Sequence, residues 1–191
     1  MPPRKEILIR SAGTEDYESF VGLLSHLGVD DPVPTFECWQ KERQRETWIA
    51  ERDGRVVGYC YAQLLGELGR VAQLVVGPQA RRRGTGRALL VRATEAFRAR
   101  GAKEWSLNVK PDNQAAIGLY QSCGLHVAYR SWALRMLWDR LEQLPCEAVT
   151  ARELLPAEDG EVELQWGLSP GRLAAARKLD GRVLLGLAGQ S

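Results

Sequence analysis

One stretch constrains this chain more than any other: Leu74-Val75-Val76-Gly77-Pro78-Gln79-Ala80-Arg81-Arg82-Arg83-Gly84-Thr85-Gly86-Arg87. It reads as a strand, a tight turn and the start of a helix. Glycines let backbone approach a ligand closely, and successive N–H groups point outward where the helix begins. That makes an anion cradle, which the helix dipole reinforces. The adjoining arginines fork onto phosphate oxygens. The stretch is not a Walker A loop, because Gly-Lys-Ser/Thr is missing. It is not the dinucleotide fingerprint either, because no third glycine stands where the helix would pack on the strand.

The elements around it alternate in type. Ile7–Arg10 reads as a strand, and Tyr17, Phe20, Val21, Leu24 and Leu27 follow at helical spacing behind the cap residues of Ser11–Asp16. A second helical piece is expected near Phe36–Arg45. Thr47–Glu51 and Val56–Ala62 read as strands joined at Asp53-Gly54, a turn that needs positive φ at both central residues. Gly58 inside the second strand predicts a bulge or a close backbone approach. Val71–Val76 is a strand, Arg87–Arg98 an amphipathic helix stopped near Gly101, and Trp105–Val109 an alternating strand. Asp112 or Asn113 caps a further helix that Gly124 ends, and Leu125–Leu137 reads as one bent strand or two. This order is mixed α/β.

Composition narrows the class. The chain has 191 residues, 45% hydrophobic and 26% charged, which fits a soluble globular protein rather than a disordered, fibrous or membrane one. Lys and Arg number 26 against 24 Asp and Glu, so any basic demand is local. Arg supplies 21 of those 26. Cys38, Cys60, Cys123 and Cys146 are too widely spaced for a metal or redox pair, and His26 and His126 have no ligand-like spacing; no metal site is expected. There is no apolar run of ~18 residues and no apolar signal core, so the expectation is a cytoplasmic protein with reduced thiols.

The motifs together resemble the GNAT superfamily of acetyl-CoA-dependent N-acetyltransferases. Arg81-x-x-Gly84-x-Gly86 looks like its pyrophosphate loop. Trp105-Ser106-Leu107-Asn108-Val109 resembles its fifth strand. Asn113 to Leu125 resembles its N-x-x-A-x-x-L-Y-x-x-x-G-F segment, with Leu125 in place of the usual Phe. The resemblance covers residues 6–138. It implies a mixed, mostly antiparallel sheet with splayed central strands, flanked by helices, and acetyl-CoA as cosubstrate.

It also implies roles. The pantetheine arm would enter between the splayed strands against the backbone of Leu74, Val75 and Val76, with the Leu74 N–H donating to the thioester carbonyl. Arg81, Arg82, Arg83, Gly84, Thr85, Gly86 and Arg87 would hold the pyrophosphate. Asn113 would hydrogen-bond near the pantetheine. Asn108 would meet the cofactor, position the acceptor amine, or pair within its strand. Tyr120 would protonate the departing thiolate. Here the pattern departs from the family: where some relatives carry a strand Glu, this chain has Arg70, with Gln73 three residues on. Glu67 is the nearest carboxylate, and a water chain ending on it or on a backbone carbonyl is the expected relay.

Residues 141–191 form a small α/β appendage beyond the domain at 1–140. Ala148–Asp159 echoes Ile7–Asp16, and Lys178–Gly186 echoes Glu51–Gly58, in the same order. The appendage reads as a truncated repeat of the domain's first half, with no second Arg-x-x-Gly-x-Gly loop. It is expected to dock on the first domain or on a second subunit, which would give a homodimer. The expected function is acetyl transfer to a primary amine, on a small molecule or a protein N-terminus, with no nucleic-acid or membrane partner. A non-catalytic acetyl-CoA sensor or interaction module stays open as the alternative.

Overall fold

The computed structural model describes residues 7–28, 32–131, 151–178 and 185–187. The chain divides into two compact units, Met1–Cys123 and Gly124–Ser191.

The first unit opens with β1 (Leu8–Ser11), a short turn at Thr14–Asp16 and α1 (Tyr17–Leu24). Helix α2 (Phe36–Cys38) continues through a wide π turn at Trp39–Arg43 and a tight turn at Gln44–Glu46, so the expected second helix exists but is irregular. Then come β2 (Thr47–Arg52), β3 (Arg55–Leu65), β4 (Leu68–Val76), α3 (Thr85–Ala99), β5 (Glu104–Leu107) and α4 (Gln114–Ser122). The strands form one five-stranded sheet in the order β1-β2-β3-β4-β5. The first four run antiparallel; β5 joins parallel to β4.

Local chemistry explains the register. Asp53 and Gly54 take φ of 53° and 70°, as the hairpin turn requires. Opposite Ala50 and Glu51, β3 carries an extra residue. A Cβ on Gly58 would lie 2.7 Å from the Val75 carbonyl oxygen, so both features predicted at this glycine occur together. Arg10 forks onto Asp16 at 2.6 and 2.8 Å, and the Gly13 N–H donates to the same carboxylate at 2.7 Å, which fixes the entry to α1.

The sheet has an apolar cluster on each face. Phe20, Trp39, Ile49, Tyr59, Tyr61 and Val75 pack under α1 and α2. Cys60, Ala62, Val71, Leu89, Leu90 and Phe97 pack under α3, with Leu119 and Tyr120 of α4 against them. Each fully buried side chain of this size contributes ~1.5–3 kcal/mol by leaving water.

In the second unit, β6 (Ala151–Glu153) pairs antiparallel with β7 (Leu185–Leu187), beside α5 (Asp159–Gln165) and α6 (Arg172–Arg177). Arg152 forks onto Glu158 at the same six-residue spacing as Arg10 and Asp16, and the Leu155 N–H donates to Glu158 at 2.9 Å. The second echo is paired differently. Leu185-Gly186 echoes Val57-Gly58 of β3, yet β7 pairs with β6, whereas β1 pairs with β2. Gly124–Ser131 carries no strand, and the remainder of the expected Leu125–Leu137 strand lies outside the described residues. Among the described residues no helix is long and apolar enough to cross a membrane.

Candidate active site

The site begins where β4 and β5 part. Their pairing runs from Leu68 opposite Glu104 to Val71 opposite Leu107 and stops there, while β4 continues to Val76. The direction of the remaining backbone groups follows from the ladder. The Gly77 N–H donates to the Val57 carbonyl at 2.9 Å, and Gly58 stands opposite Val76. Antiparallel pairs alternate between bonded and non-bonded. Gln73 and Val75 therefore turn their N–H and C=O groups to β3, and Gly77 its N–H alone, its carbonyl accepting from the Ala80 N–H at 2.9 Å. Leu74 and Val76 turn theirs away from β3, into the gap beside β5.

A bulge sets this alternation. Tyr61 stands opposite Gln73 and Ala62 opposite Val71, so Ala72 is the extra residue. Beyond it, the side chains of Leu74 and Val76 lie with the α3–α4 cluster, and that of Val75 with the α1–α2 cluster. The gap thus offers the N–H groups of Leu74 and Val76 and the Leu74 carbonyl to a third, strand-like partner.

The loop after β4 forms the gap's polar end. Arg82 and Gly84 take left-handed φ of 59° and 85°. The Thr85 hydroxyl donates to the Ala80 carbonyl at 3.0 Å and is buried. The N–H groups of Thr85, Gly86 and Arg87 open α3 and have no carbonyl one turn back. A Cβ on Gly86 would lie 3.0 Å from Leu119 Cδ2, so this glycine lets α3 approach α4 closely.

The arginines divide their work. Arg81 Nε donates to the Val76 carbonyl at 2.9 Å, and Arg87 donates to Ser122 Oγ at 2.8 Å. Both therefore brace the loop. Arg82 and Arg83 are exposed beside the cradle.

Tyr120 comes from α4 and packs on the α3–α4 face. Cys60, whose proximity raises the Tyr120 pKa, is the cross-strand partner of Leu74. Burial first, then Cys60, pushes the Tyr120 phenol up to about 12. It stays protonated at neutral pH. Asn113 caps α4, its Oδ1 accepting from the Ala116 N–H at 3.2 Å, and Asn108 follows the last residue of β5, exposed at the gap's rim.

Glu67 is not brought to this place. It sits in the turn before β4, and its carboxylate pairs with Lys103 Nζ at 2.7 Å with both side chains largely exposed. At ~3.3 Å per residue, the bulge lies about 16 Å further along β4. Glu67 fastens the closed end of the two strands.

The structure adds residues that sequence spacing did not single out. Tyr59 is fully buried, and its hydroxyl donates to Gln73 Oε1 at 3.1 Å. Arg43, on the π turn, lies over the Tyr61 ring at 5.3 Å. Burial raises the Tyr61 phenol, with Arg43, Glu42, Glu46 and Cys38 all acting on it. The helical segment before β2 thus stands over the bulge's neighbour. The signal was available only in the break of alternation between Val71 and Gln73.

Splayed parallel strands, a glycine–arginine anion cradle and a half-buried phenol define a class of acyl-transferring α/β proteins. A model of the acetyltransferase (GNAT) family matches residues 14–125. The chain belongs to that family. A mycothiol acetyltransferase of Acidothermus cellulolyticus is 31% identical over 167 residues, covering 73% of this chain and 49% of that protein. One of Thermobispora bispora is 32% identical over 114 residues, covering 52% and 37%. The chain thus spans between about a third and a half of the length of the curated relatives it matches. Among solved structures, aminoglycoside N-acetyltransferase AAC(6')-Iy in complex with CoA has a TM-score of 0.60 at 19% identity, over 71% of this chain and 98% of that one. The ribosomal-protein-S18-alanine N-acetyltransferase of Escherichia coli has a TM-score of 0.53 at 22% identity, over 62% and 77%. These two share the fold.

Proposed function

We propose that this chain transfers acetyl from acetyl-CoA to a primary amine by direct attack. One observation carries the reading: the Leu74 main chain and the Val76 N–H face a gap that has a phosphate cradle at one end, the Val76 carbonyl being taken by Arg81 Nε. The residues fit the cosubstrate. A pantothenate-derived arm carries amides that complete a strand, and its diphosphate suits the N–H groups from Arg82 to Arg87 with the Arg82 and Arg83 guanidinia.

The Leu74 N–H donates to the thioester oxygen as negative charge grows there. The amine nitrogen bonds to the carbonyl carbon, the carbon–sulfur bond breaks, and Tyr120 gives its proton to the thiolate. The amine's surplus proton passes to water on the α1–α2 side, where Glu42 and Glu46 stand near Tyr61, and Tyr120 regains its proton from water once CoA leaves. The acceptor belongs to the class of primary amines on small molecules or protein N-termini; the names of the relatives span both. A non-catalytic sensor gains no support from relatives named for acetyl transfer. The test is thiol release from acetyl-CoA across a panel of aminoglycosides, amino sugars and short peptides. Release on one class supports the reading; tight acetyl-CoA binding with no release on any overturns it.

We also infer that residues 141–191 are a partial repeat of the first unit's opening, supported by the two Arg–carboxylate clasps. The sequence of 141–191 holds no second Arg-x-x-Gly-x-Gly, so these 191 residues are expected to take one acetyl-CoA. Calorimetric titration with a stoichiometry of two would contradict this.

A further inference from the structure

We infer that the buried Tyr59–Gln73 pair is a positioning device that locks the β4 bulge at Ala72 and so aims the Leu74 N–H into the gap. The inference rests on the proposed acetyl transfer for its catalytic meaning, but its stereochemistry stands alone.

Gln73 is 6% exposed and Tyr59 fully buried, among Phe20, Trp39, Ile49 and Val75. Phe20 and Tyr59 rings are 4.6 Å apart. Register is the role that the position of this bond supplies.

The bulge has alternative places. With Ala72 as the extra residue, Gln73 and Tyr59 are diagonal neighbours on the α1–α2 face, within hydrogen-bonding reach. Were the extra residue moved past Gln73, the Gln73 side chain would fall on the α3–α4 face with Val71. Leu74 would then turn its N–H to β3, and Gln73 would face the gap instead. Moving the bulge exchanges the two sides at Gln73 and Leu74, while Val71 and Val75 keep their partners on β3. The Tyr59–Gln73 bond exists in one of these registers only. Ala72 itself is exposed and offers nothing to hold the bulge.

The test compares the full-length parent with Tyr59→Phe/Gln73→Leu, by amide hydrogen exchange and by steady-state kinetics. In the parent, Gln73, Val75 and Gly77 amides are protected and those of Leu74 and Val76 exchange fast without acetyl-CoA. The double variant is expected to lose this alternation at Gln73 and Leu74, and to lose ~10- to 100-fold in kcat with KM for acetyl-CoA unchanged. Single Tyr59→Phe, read the same way, replaces the double variant if that one fails to fold. An unchanged alternation in the folded variant overturns the inference, whatever its kcat. A parent that transfers acetyl to no acceptor sinks the proposed function, and the exchange pattern still decides the lock.

Discussion

The guanidinium of Arg81 reaches back over its own loop, and its Nε donates to the Val76 carbonyl at 2.9 Å. The first arginine of the motif thus ties the cradle to the end of β4, and its neighbours are left to meet the phosphates. The distinction is measurable. Arg82→Glu/Arg83→Glu is expected to weaken acetyl-CoA binding by ~10- to 100-fold per lost charge-assisted bond, with the melting temperature unchanged. Arg81→Met is expected to weaken binding and also to lower the melting temperature. Calorimetry on the two proteins checks both.

Gly58 gives a backbone test. An added Cβ meets the Val75 carbonyl oxygen at 2.7 Å, and that atom belongs to a central strand with little room to move. Gly58→Ala is expected to cost ~1–3 kcal/mol in chemical denaturation. Because Val75 neighbours Leu74, kcat falls more than KM for acetyl-CoA changes.

Asp16 gives a pH test. Burial pushes its carboxyl up, but hydrogen bonds from Arg10 and from the Gly13 N–H, with the Arg10 charge, hold it below the ordinary value. A carboxylate with a depressed folded pKa contributes stability above its unfolded pKa of ~3.9 and loses it as pH falls through the folded value. Denaturation midpoints are expected to be level from neutral pH to about 5 and to drop below ~4. In Asp16→Asn that acid-dependent drop shrinks, and neutral stability falls by ~2–3 kcal/mol, less than for a fully buried pair because Arg10 is partly exposed.

Much of this fold was legible in the sequence because its signals are local. Asp53-Gly54 demanded one turn, and the Arg81-to-Gly86 loop could bind an anion only between a strand and a helix. The alternation of Trp105 and Leu107 with Ser106 marked β5, although it ends at Leu107 rather than Val109. What was hidden depends on pairing between strands. The bulge at Ala72 comes from the β3 register, and only that register puts Gln73 beside Tyr59. Glu67 is near the motif in sequence, yet a straight strand carries it to the opposite end. The π turn at Trp39–Arg43 leaves the helical apolar spacing nearly intact, so periodicity cannot show it. The arginines' division of labour is a matter of side-chain reach, which spacing does not contain.

The most direct measurement is thiol release from acetyl-CoA at saturating amine acceptor, for the parent and for Tyr120→Phe, with acetyl-CoA affinity measured on both. The phenol is held at about 12, so the parent's kcat should show no alkaline loss from Tyr120 below pH ~11. Tyr120→Phe should bind acetyl-CoA as the parent does and release thiol ~100- to 10,000-fold more slowly. Equal kcat in the two proteins, or a parent that binds acetyl-CoA without releasing thiol on any amine, would contradict transfer in the gap between β4 and β5.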